Sequence, residues 1–191
     1  MKIEKGQAGY LTAQRRKLGY QTLIRFGVVI LILAAGYIKT HTRLNIFTVV
    51  AVLGCLPASK MLVEFITIFP FRTIDKKIAD EICEKSSLLT TAYDLVITSR
   101  EKIMPINAIV ISNHTVFGYA KNPKTNPDEA AAYIKKVLSE NNYPKTTVKV
   151  FSEYVPFLSR AEGLNNMIEV SHLADRELEQ SIRQIILNIS M

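Results

Sequence analysis

Side chains able to do chemistry are few in this chain, and their spacing does not assemble them into a reaction centre. The three histidines, His41, His114 and His172, stand far apart and form no metal-ligand set by spacing. Cys55 and Cys83 offer neither pairing nor a Cys-x-x-Cys interval, so no disulfide, metal or other cofactor is expected. Ser112-Asn-His-Thr115 brings hydroxyl and imidazole together, but a nucleophile needs a third group to orient its base, and Asn113-His114 reads instead as a two-residue hairpin turn. Ser159-Arg-Ala-Glu162 with Asn165-Asn166 would line a small pocket or, on the preferred reading, form a capping box before a short helix. Lys135, Lys136, Lys145 and Lys149 are interspersed with Asp128, Glu129, Glu140 and Glu153 and lack an aromatic platform; they read as a solvated face, not a nucleic-acid surface.

The elements that must position these residues begin with a split of charge. Residues 1–71 carry nine Lys and Arg against two acids, so the whole net charge of +7 lies there, and residues 72–191 are neutral. The basic part contains two apolar runs, expected to span a bilayer over residues 22–38 and 44–59 and to continue as an interfacial helix over 60–70. The runs flank a short turn, Lys39-Thr-His-Thr-Arg43. A secretory signal peptide is the competing reading of the first run, but no Ala-x-Ala cleavage pattern follows it and a second run comes at once. Arg15, Arg16 and Lys17 before the first run, Arg25 at its start, and Lys60 and Arg72 after the second outnumber the bases of the turn; both termini are therefore expected in the cytoplasm. Lys60 and Glu64, four residues apart, suit an interface better than an ion path, which needs polar groups deep in a larger bundle. Gly54-x-x-x-Ala58, preceded by Ala51, makes a small-residue strip, and packing of the hairpin on itself is preferred to a second membrane partner.

Residues 72–191 are expected to form one α+β domain. Thr73–Lys85 has a helical apolar face of Ile74, Ile78, Ala79, Ile82 and Cys83. Strands follow at Leu88–Thr98, Ile106–Ser112 and Thr115–Lys121, the second apolar enough to be covered on both faces. Asn126-Pro-Asp-Glu129 is a strong helix start for Ala130–Glu140, with Glu129 at the capping-box position. A fourth strand at Thr146–Ser152, a partly helical Pro156–Asn166 and a terminal helix marked by Leu173, Leu178, Ile182, Ile185, Ile186 and Ile189 complete the order. Three hairpin-linked strands, a crossover helix and a fourth strand predict a mixed four-stranded sheet.

That αβββαβ order, over roughly residues 75–152, resembles the restriction-endonuclease-like fold of nuclease-related domains attached to membrane spans. The resemblance implies an acid near the start of the second strand and Glu-x-Lys in the third, holding Mg²⁺. Here Asn107 stands at the first position and only Lys121 matches the second, with Asp94 in the first strand as the nearest other acid. The whole chain also resembles an uncharacterised family of small two-span membrane proteins from Gram-positive bacteria, through residues 1–10 and Thr42–Lys60. Some members bear an O-linked N-acetylglucosamine transferase label, which implies a glycosyltransferase; neither Asp-x-Asp nor a glycine-rich loop is present to hold a nucleotide sugar. The reading that follows is a membrane-anchored, non-catalytic binding or scaffold domain. Its expected partners are the bilayer and a protein, or a second copy through the spans; a nuclease-like hydrolase and a glycosyltransferase are the alternatives.

Overall fold

A computed structural model describes residues 3–40, 46–99 and 102–191. His41, Arg43 and Leu44 of the expected membrane turn and its flank, and Arg100-Glu101 between the first two strands, lie outside the described residues. The chain divides into two compact units, Leu11–Arg72 and a second that joins Met1–Tyr10 to Thr73–Met191. The sequence-based division kept residues 1–71 together, whereas residues 3–10 help to build the α+β unit.

The first unit consists of α1 (Tyr10–Thr40) and α2 (Ile46–Ile68). At about 1.5 Å per residue they are roughly 46 Å and 34 Å long, against a hydrocarbon core of about 30 Å. Helix α1 starts twelve residues before the expected span, because Leu11–Gln21 contains strong helix formers and no proline. Helix α2 runs unbroken through Pro57. The pair is antiparallel: a Cβ on Gly19 would lie 3.2 Å from Phe65, and one on Gly54 would lie 3.3 Å from Val29. Ala51 and Ala58, one turn either side of Gly54, are buried. The small-residue strip thus faces α1, where close approach replaces the missing side-chain volume. Outward faces are apolar, with Leu23, Leu31, Ile38, Ile46 and Leu56 between 69% and 75% exposed. Both helices are long and apolar enough to cross a membrane.

In the second unit, α3 (Lys76–Lys85) precedes β1 (Thr90–Thr98), β2 (Ile103–Ser112) and β3 (Thr115–Tyr119). Then come α4 (Pro127–Glu140), β4 (Thr147–Phe151), α5 (Tyr154–Ser171) and α6 (Arg176–Asn188). The sheet order is β1-β2-β3-β4, antiparallel through β3 and parallel at β3–β4, the mixed sheet expected from the crossover helix. Strand β2 is central, with Ile106 and Ala108–Ile111 almost wholly buried. It begins earlier than expected and includes Pro105, paired with Val96. Leu95 and Ile97 turn their backbone groups toward β2, so the proline nitrogen points to the far side, where β3 has already ended and no ladder bond is lost.

Helices α4 and α6 cover one face of the sheet, and α3 and α5 the other. Strict alternation fails in the middle of both long strands. Ala92, Leu95 and Ile97 share the first face, as do Ile106, Ile109 and Ile111, so each strand changes parity once. The change falls at Asp94 and Asn107, which stand across from each other in the register. Asp94 has φ +55°, a left-handed conformation that redirects the following side chains.

Three local expectations change. The capping-box acid Glu129 bonds Lys102 at 2.6 Å, although Asn126 does cap α4, accepting from the N–H groups of Asp128 and Glu129. Ser159 is in the middle of α5 and caps nothing; Glu162 instead pairs with Lys85 at 3.3 Å, and the buried Asn165 accepts from the Leu88 N–H. Cys83 is exposed rather than part of the apolar face of α3.

Candidate functional site

Of the three residues that the nuclease resemblance implies, Asp94 is the most constrained. It is 2% exposed, and its carboxylate accepts from the N–H groups of Gly9 and Ile74, both at 2.8 Å, and from the Thr73 hydroxyl at 3.0 Å. These donors come from the residues that lead into α1 and out of the helical unit. Asn107 Oδ1 accepts from the Lys121 N–H at 2.8 Å, which terminates β3. The Lys121 side chain is exposed, and among the described residues it forms no ion pair. The Asp94 and Asn107 side chains thus each hold a backbone joint. No group of three or more His, Cys, Asp or Glu among the described residues is placed to hold a metal ion.

An open cleft of about 660 Å³ lies where the β2–β3 turn meets the α5–α6 connection. Its walls include His114, His172, Asp175 and Arg176, and a second hollow of about 390 Å³ shares His172 and Arg176 with it. The turn residue Asn113, at φ +47°, builds this corner. Its side chain donates to the Leu173 carbonyl and accepts from the Asp175 N–H, both at 2.8 Å. His172 closes α5 in a left-handed conformation, and Asp175 caps α6 through the Leu178 N–H. Beneath the corner, Glu179 is fully buried and accepts from the Thr90 hydroxyl at 2.7 Å, the Asn113 N–H at 3.0 Å and Arg176 at 3.1 Å. Among the described residues neither imidazole has a hydroxyl or thiol as hydrogen-bond partner. Leu173 of the cleft lining is 74% exposed, and on α5 the apolar side chains Met167 and Val170, three residues apart, are 64% and 84% exposed. Comparison with known proteins names no relative. No family model, curated protein or solved structure matches this chain.

Other expected sites are dispersed. Lys135, Lys136, Lys145 and Lys149 are exposed; Lys136 approaches Glu140 at 4.0 Å, and the Lys149 ammonium sits 5.1 Å from the Phe151 ring centre. In the helical unit Arg15 stacks 5.3 Å from the Phe69 ring and donates to the Phe71 carbonyl, while Arg25 donates to the Pro57 carbonyl at 3.4 Å. Arg16, Lys17, Lys60 and Arg72 are exposed, and no ion pair joins Lys60 to Glu64 among the described residues. Sequence reading missed Glu179. The available signal was its place three and seven residues before Ile182 and Ile186, on the apolar face of α6.

Proposed function

We propose that this chain is an integral membrane protein whose helical hairpin holds a non-catalytic binding domain at the cytoplasmic surface. One observation carries the reading: residues 3–10 and 73–191 fold into the same unit, with the Tyr93 N–H donating to the Gly6 carbonyl at 2.9 Å and Lys5 to the Ser190 carbonyl. Segments that lie on either side of the hairpin in sequence must then be on the same side of a bilayer, as two crossings require and one forbids. The basic residues from Arg15 to Arg25, with Lys60 and Arg72, favour the cytoplasmic side for that domain. The outward apolar faces of α1 and α2 would be costly in water and suit lipid. The exposed apolar side chains Met167 and Val170 of α5, with Leu173 just beyond its end, are the surface that a protein partner would use.

Single cysteines at Glu4 and at exposed Lys124, in a chain with Cys55 and Cys83 replaced, test the topology. Both are expected to resist a membrane-impermeant maleimide in intact cells and to react after permeabilisation; labelling of either in intact cells overturns it. Partner binding is tested by crosslinking in cells, comparing the full chain with its 1–71 anchor. A protein retained by the full chain, absent from the anchor and lost with Val170→Glu supports recruitment. Equal capture by chain and anchor overturns it.

A further inference from the structure

We propose that Asp94 is a coupling point: its one carboxylate ties together the two connections to the helical hairpin, so that loosening either connection loosens the other. Gly9 immediately precedes α1, and Thr73 and Ile74 are the first residues after the helical unit. Oδ2 accepts from both legs, the Gly9 N–H and the Thr73 hydroxyl, while Oδ1 takes the Ile74 N–H. The carboxylate is 2% exposed, so water cannot readily replace a lost donor. In such surroundings hydrogen bonds to one group polarise and support each other.

Backbone geometry adds a second link. Asp94 adopts φ +55°, and the change of face in β1 depends on that turn. Gly9, at φ +92°, and Gly6, at φ +88°, give the first leg the path that brings the Gly9 N–H to the carboxylate. A Cβ on Gly6 would meet Leu187 at 2.9 Å, so this leg is also pressed against α6. An aspartate is the suitable residue because it offers acceptors on both oxygens, whereas asparagine would turn an N–H₂ group toward one donor. A pull on one hairpin end would thus reach the other end and the sheet. The coupling does not depend on the hairpin crossing a bilayer, so it and the topology fail in separate experiments.

Hydrogen exchange on the full-length protein in detergent micelles, followed in peptides covering residues 3–10 and 73–78, tests this. Thr73→Val removes the hydroxyl that the second leg donates to Asp94, and exchange of residues 3–10 is expected to rise by about 2- to 30-fold, the range of ordinary energetic coupling between contacting groups. Asp94→Gly keeps a backbone suited to φ +55° and removes the carboxylate; both legs should then exchange faster while Ile109–Ile111 stay protected. If Thr73→Val leaves residues 3–10 unchanged, or Asp94→Gly releases one leg alone, the coupling is refuted. Should Asp94→Gly also expose Ile109–Ile111, the Thr73→Val result decides.

Discussion

At the scale of single residues, acids and phenols inside the α+β unit are structural joints. Glu179 and Asp94 each collect donors from segments remote in the chain, which makes each a joint between elements distant in sequence. The Tyr154 hydroxyl donates to Glu81 at 2.7 Å, linking α5 to α3. Burial, and then the hydrogen bond to Glu81, hold the Tyr154 phenol well above its usual range, and burial raises Tyr93 and Tyr119 as well. A phenol with a higher pKa folded than unfolded stabilises the fold while the unfolded chain keeps its proton. That contribution begins to fall near pH 10, the unfolded value, and disappears as pH passes the folded one. Thermal unfolding measured from pH 8 to 12 is expected to show stability falling above about pH 10. Tyr154→Phe should make that fall shallower; an unchanged slope would assign it elsewhere. The chemistry-bearing residues were legible in type but not in role: Asp94 stood out as an acid in a strand, and only the fold shows both of its oxygens accepting from the connections to the hairpin.

At the scale of elements, local chemistry predicted what local chemistry controls. Asn126 and Pro127 start α4 because a side-chain acceptor and a preset φ act within one turn. Ser112↔Thr115 pairing follows from a two-residue connection. The start of α5 was missed because Ser159-x-x-Glu162 has the form of a cap, while burial of Phe157 and Leu158 extends the helix back to Tyr154. In the hairpin, Gly54 lets α2 approach Val29, and a β-branched side chain there must separate the helices. Gly54→Ile is expected to lower the thermal unfolding temperature of the full protein in detergent, while Val52→Ile, at a position 62% exposed, leaves it unchanged. Equal effects of the two changes would mean that the strip does not set the helix contact.

At the scale of the whole molecule, the helical hairpin is an insertion between two parts of one domain. The Gly9 and Ile74 amides meet the same carboxylate, so a linker of roughly four residues can replace residues 11–72. That protein is expected to be soluble and to unfold cooperatively, whereas residues 73–191 alone should be less stable for want of the strap at β1. Indistinguishable unfolding curves would show that residues 3–10 contribute nothing. The sequence alone determined the two long apolar helices, the order of elements and the mixed sheet, because hydropathy runs, caps and tight turns are properties of neighbouring residues. Tertiary structure alone decided that residues 3–10 belong to the distant domain, that β1 and β2 change face at Asp94 and Asn107, and that Glu179 is buried. Those outcomes rest on hydrogen bonds between residues up to 185 positions apart, as Lys5 and Ser190 are, and no local pattern records which remote donor will meet which acceptor.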